Sequence, residues 1–172
     1  AIDFFGRAMD YVTLRNYPAA IADLDRAIAL TPDFALAYFM RGVARHDMVM
    51  SAGGYQHGEG SIGKTGGMAQ SPDIKMELRN VISDLDRASE LSPRLAFAHY
   101  DKANALVELG DLTSAIAAYR KALELKPDFG EAYYNIAYVY FQLGNRTEGA
   151  ANLSKAGELG IVPSYNLLKR MH

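Results

Sequence analysis

The stretch Gly58-Glu59-Gly60-Ser61-Ile62-Gly63-Lys64-Thr65 spells G-x-x-x-x-G-K-[ST] letter for letter. In that pattern backbone amides cradle phosphates, the lysine reaches the terminal ones and the hydroxyl binds magnesium. The chemistry needs a buried strand before the loop and a helix directly after it, whose N-terminal amides meet the phosphates. Ser51 to His57 is too polar and glycine-rich for such a strand, and Gly66 and Gly67 work against an immediate helix. No strand ending in a magnesium-binding aspartate can be read elsewhere. The expected role of this stretch is a surface loop, and nucleotide hydrolysis through Lys64 and Thr65 is the enzymatic alternative.

Other chemistry-bearing residues fare no better. His46, Asp47, His57 and Glu59 tempt a metal reading, but their spacing matches no helical metal pair and glycine separates some of them. His99 falls at a helix-packing position, where a hydrogen-bonded histidine is the ordinary explanation. Glu59-Gly60-Ser61-Ile62-Gly63 misses the nucleophile elbow by its first letter. Asp23 and Asp25 are two apart on a helix and point to different sides, so they are expected to be solvated charges rather than an acid–base pair. No catalytic residue, metal or cofactor is expected.

The elements that carry these residues repeat. Asp23-Leu24-Asp25-Arg26-Ala27 recurs as Asp84-Leu85-Asp86-Arg87-Ala88, 61 residues later. Pro32-Asp33-Phe34 recurs as Pro127-Asp128-Phe129 at an offset of 95. A period of 34 residues, stretched once by an insertion of 27, explains both, with Pro32, Pro93 and Pro127 marking unit ends. Within 112–125 the residues Leu112, Ala115, Ile116, Tyr119, Ala122 and Leu123 recur at three- and four-residue spacing, the mark of an amphipathic helix. Pro127 cannot continue that helix and pushes Lys126 out of the helical region.

A unit of 34 residues, with small residues where two helices cross and proline at its end, resembles the tetratricopeptide repeat. Its small eighth position finds Ala8, Gly42, Ala103 and Ala137, and its twentieth finds Ala20, Val81, Ala115 and Gly149. Ala27, Ala88, Ala122 and Ala156 fill the twenty-seventh, and Leu109-Gly110-Asp111 and Leu143-Gly144-Asn145 carry the turn. The resemblance implies an all-α protein, a right-handed superhelix (α-solenoid) of antiparallel helix pairs. The units run 1–34, 35–95 with a Gly-rich insertion at about 49–73, 96–129 and 130–163, followed by a capping helix over 164–172. Residues from about 74 are expected to lengthen the second helix of the second unit, leaving roughly 52–71 as an exposed excursion. The seventh position, usually Leu, holds Arg7, Arg41, Lys102 and Ile136, so packing near the first helices of the early units must differ. Ala1 stands at the first position of a unit with no cap before it, and a fragment of a longer repeat protein is expected.

Composition is consistent with this. Eighteen basic against twenty acidic residues leave a net charge of -2, without the basic excess of a nucleic-acid binder. No apolar run reaches the ~20 residues of a membrane helix. Zero cysteines remove disulfides, thiol nucleophiles and Cys-based zinc sites. The balance is that of a folded soluble protein and does not separate cytoplasm from periplasm.

The resemblance further implies a concave face lined by the first helix of each pair. That places Phe5, Met9, Phe39, Phe97, Tyr100, Asn104, Tyr134, Tyr138 and Phe141 in a groove. Rings with polar neighbours suit recognition of an extended peptide, and about half of the rings are expected to pack between helices instead. In the subfamily that grips carboxylate endings of heat-shock chaperones, Asn104 and Asn135 match the two asparagines. Tyr100 and Tyr165 stand where that subfamily has lysines, and only Lys169 could serve for the last arginine, so that specialised function is not expected, while Asn104 and Asn135 stay in the groove set as candidate binders of a peptide backbone. The expected function is a non-enzymatic module binding a protein or peptide segment. The alternative is a structural spacer that self-associates through open solenoid ends.

Overall fold

The computed structural model describes residues 1–52 and 71–171. The described residues form helices α1 (Ile2–Thr13), α2 (Tyr17–Leu30), α3 (Ala35–Ala52), α4 (Pro72–Leu91), α5 (Ala96–Leu109), α6 (Leu112–Leu125), α7 (Gly130–Gln142), α8 (Arg146–Glu158) and α9 (Val162–Met171). Neighbours in sequence pack on one another throughout, and α5 also touches both α3 and α7. The odd-numbered helices thus form one layer and the even-numbered helices a second, the arrangement of an α-solenoid.

Local chemistry sets each boundary. Asn16, Asp111 and Asn145 cap α2, α6 and α8 by accepting the amides of Ala19, Ser114 and Glu148, each satisfying a donor that the first helical turn leaves unpaired. One residue earlier the backbone turns left-handed, at Gly110 (φ 83°) and Gly144 (φ 76°). The first pair does the same with Arg15 (φ 57°), where a side chain costs roughly 1–2 kcal/mol that glycine avoids. At the far ends of α2, α4 and α6, Thr31, Ser92 and Lys126 share one extended geometry, φ −139°, −136° and −138°. Each precedes a proline whose ring excludes the helical conformation from its predecessor.

The small residues do the work their spacing implies. Ala8, Ala103 and Ala137 and Ala27, Ala88, Ala122 and Ala156 are fully buried where paired helices cross. A methyl on Gly42 would lie 3.0 Å from Leu85, and one on Gly149 would lie 2.5 Å from the Phe141 ring. Close approach of α3 to α4 and of α7 to α8 therefore depends on the missing side chain.

Helix α3 runs on to Ala52 and α4 starts at Pro72, and the stretch between them lies outside the described residues. The added turns pack on the repeat core: Val49 is buried in one cluster with Leu78, Val81 and Leu85, and Ile74 packs against it, which offsets the cost of ordering them. The last helix starts at Val162 rather than 164, with Pro163 in its first turn, where a missing amide hydrogen costs nothing. Ile161 seals this end by lying against Gly130.

Candidate functional site

Along the seam between the two layers, the seventh-position cations meet the repeated acidic motif. Arg7 on α1 donates to both carboxylate oxygens of Asp23 on α2, at 2.6 and 2.7 Å, and Arg26 adds a third bond at 2.9 Å. One unit on, Arg41 on α3 repeats the fork onto Asp84 of α4 at 3.0 and 2.6 Å and reaches back to Asp25 at 2.8 Å. Lys102 on α5 keeps only the backward contact, 2.7 Å to Asp86. Asp23 and Asp84 are 1% and 5% exposed, so the expectation of a solvated carboxylate fails for Asp23, and its counterpart Asp84 is buried in the same way. The hydrogen bonds from Arg7 hold the Asp23 carboxyl below its ordinary value against the opposing effect of burial. A cation at position seven and an acid at position twenty-three replace an apolar contact by a charged one. Ile136, buried at the same position of α7, restores the apolar version.

A neutral polar network ties α5 to α7. The Asn104 side-chain oxygen accepts from the Tyr119 hydroxyl of α6 and, at 3.0 Å, from the Asn135 amide of α7. The same amide nitrogen donates to the Tyr100 hydroxyl at 3.0 Å. Tyr119 is fully buried and Asn135 only 7% exposed, so burial raises the pKa of the Tyr119 hydroxyl well above its usual value and keeps it protonated. Every bond here replaces one that water would otherwise supply.

A charged cluster ties α3 to α5. His46 and Glu108, 62 residues apart, meet at 2.7 Å with both side chains 14% exposed. Burial disfavours the imidazolium, but the hydrogen bond and charge of Glu108 outweigh it, and Asp101 and Asp47 add to the attraction, so His46 titrates above its ordinary value. Asp101, one turn before Asn104 on α5, accepts no hydrogen bond from any described residue. Burial, reinforced by Asp47 and opposed by His46, pushes its carboxyl up to about 6. Among the described residues no group of three acids or histidines is arranged to hold a metal ion.

The expected groove residues divide between two roles. Phe97 is 49% exposed, and Tyr134 and Tyr138 are half-buried, their rings edge to face at 5.3 Å. Tyr100 is half-buried against Phe129, centroids 4.5 Å apart. Phe5 stacks on Phe34 at 5.0 Å and Met9 packs on the same cluster of the first pair. Phe39 packs against the α3–α4 cluster, and Phe141 lies on Gly149 of α8. Asn104 and Asn135 sit together, but Asn135 points inward and spends its amide on Tyr100 and Asn104. His99, expected to be hydrogen-bonded, makes no such bond among the described residues; burial, with Lys102 and Lys121 nearby, lowers its pKa. The phosphate-loop stretch, His57 and Glu59 lie outside the described residues. Sequence reasoning missed Asp101, Asp84 and the Arg41 fork, although the recurring Asp-Leu-Asp-Arg-Ala string marked Asp84.

Comparisons with known proteins agree with this architecture. A family model described as TPR repeat matches residues 10–49 and 103–144, and one described as Tetratricopeptide repeat matches 130–159. Together they cover more than half of the chain. No curated protein matches the sequence significantly. Among solved structures, the thermophilic TPR protein TTC0263 of Thermus thermophilus superposes with a TM-score of 0.72 at 20% identity, covering 97% of this chain and 78% of that one. MamA from Desulfovibrio magneticus RS-1 gives 0.71 at 16%, covering 91% and 73%. The first TPR of Spaghetti (RPAP3), bound to the HSP90 peptide SRMEEVD, gives 0.65 at 17%, covering 83% and 92%.

Proposed function

The chain belongs to the tetratricopeptide repeat family, and from that premise we propose that it is a non-enzymatic interaction module taking a peptide or protein segment on the face of its first helices. The observation that carries this reading is the row of incompletely buried rings, Phe97, Tyr134 and Tyr138, on α5 and α7. Such rings supply contact area at little entropic cost, and the packed stack behind them holds the surface ready. A fold neighbour, the RPAP3 repeat domain, is bound to a peptide, which supports the same use of the architecture here. The neutral network of Asn104 and Asn135 serves mainly to lock α5 against α7, so the rings rather than the asparagines carry the contact. No described helix is long and apolar enough to cross a membrane.

A random peptide library displayed on phage and panned against the chain tests the proposal. Tyr134→Ala should weaken the selected peptides by up to ~2 kcal/mol, in the range of interface hot spots. Lys121→Ala, on the outer side of α6, should leave them unchanged. The reverse pattern would place the partner on the outer layer and defeat the groove reading. Self-association is the second reading, favoured by Ile2, Leu14 and Leu30 of the first pair, which are 79%, 75% and 62% exposed. Sedimentation at rising concentration decides it.

A further inference from the structure

The rings of the first-helix face stand among carboxylates. Asp101 and Glu108 are seven residues apart on α5 and so lie two turns apart on one side of the helix, with Asn104 between them. Asp47 on α3 and Glu131 on α7 flank that side from the two neighbouring helices; Asp47 acts on Asp101, and Glu131 and Asp101 both act on the Tyr100 hydroxyl between them. The arginines and the lysine of α3 and α5 are turned the other way, which leaves His46 as the cationic group on this side. Arg41 and Arg45 are drawn to Asp84 of α4, at 2.6 and 3.6 Å, and Lys102 to Asp86. Helix α7 carries no lysine or arginine at all. His46 answers Glu108, but nothing among the described residues donates a hydrogen bond to Asp101.

We propose that the segment bound on this face is cationic, with a lysine or arginine side chain seated between Asp101 and Glu108 and its neighbours against Tyr134 and Tyr138. This deepens the peptide-binding reading and rests on it. A guanidinium or ammonium supplies the donors that Asp101 lacks, and a charge-assisted bond in a partly desolvated site is worth more than a neutral one. The adjacent tyrosine faces favour the same cation through their ring electrons. An acidic segment would bring its charges against Asp101, Glu108 and Glu131, so the sign of this face selects against peptides such as SRMEEVD.

The test uses the peptides selected on phage, made with a fluorescent label and titrated with the chain by anisotropy. Selected sequences should be enriched in lysine and arginine, and replacing the basic residue by glutamine should cost at least about tenfold in affinity. Asp101→Asn, which keeps the shape of the side chain, should cost a similar factor while circular dichroism stays unchanged. Raising salt from about 50 to about 500 mM should weaken binding several-fold. Neutral or acidic peptides whose binding still depends on Tyr134 would overturn the cationic inference and leave the groove reading standing. Cationic peptides indifferent to Asp101→Asn would overturn the seat assigned to the charge. A library that yields no Tyr134-dependent binder would overturn both readings.

Discussion

Replacing Asp101 by asparagine should make the protein more stable near neutral pH. Its carboxyl is pushed from 3.8 up to about 6, first by burial and then by Asp47, against the pull of His46. The folded state therefore holds the proton more tightly than the unfolded chain, and ionising this group costs folding free energy. That cost is absent below the unfolded value and is complete once the pH has risen through the folded one. A rise of that size corresponds to roughly 3 kcal/mol. Solvent still reaches the half-buried carboxyl and screens part of the penalty, leaving about 1–2 kcal/mol. Urea unfolding of both proteins at about pH 7.5 should show Asp101→Asn gaining that amount, with the difference shrinking to below about 0.5 kcal/mol near pH 4. Asp23 titrates in both proteins, so its contribution cancels in the comparison, and His46, held up first by Glu108 in both, loses only the smaller pull of Asp101. An asparagine variant no more stable at neutral pH, or equally stabilised at pH 4, would refute the assignment of an ionised, uncompensated carboxylate. Retention of so unfavourable a group on the ring-bearing face is what a partner's positive charge would explain.

Arg41→Ala should destabilise by about 2–4 kcal/mol in urea, because it leaves the Asp84 carboxylate buried with only Arg45 nearby, whereas Lys121→Ala, an exposed pair member, should cost under about 0.5 kcal/mol. Asn135→Ala should lower stability by about 1–3 kcal/mol, since Tyr100 and Asn104 lose their shared donor inside the stack, and it should lower peptide affinity less than Tyr134→Ala does.

Much of the architecture was legible in the sequence because the signals are local. Proline at a unit end, an αL turn followed by a capping Asp or Asn, and alanine at fixed intervals act over a few residues, and they recur every 34 residues around one insertion. What packs against the ends of the two helices beside it was not legible. Val49 joins a helix only because Leu78 and Val81 return to cover it, and no pattern within either segment states that they meet. The same holds at the candidate site. Periodicity assigns Phe141 and Tyr138 to one helix face, but the space left by Gly149 draws the first ring against α8. Asn135 looks like a donor for a ligand until α5 places Tyr100 and Asn104 around it. The charged groups show the difference most clearly. Asp23 and Asp25 differ by two positions, yet one is 1% exposed beneath the Arg7 fork and the other reaches outward to Arg41. His46 and Glu108 are 62 residues apart and touch. Helix formation is decided by neighbours along the chain. The charge state of a carboxylate is decided by what surrounds it in space, and here those surroundings come from other repeats.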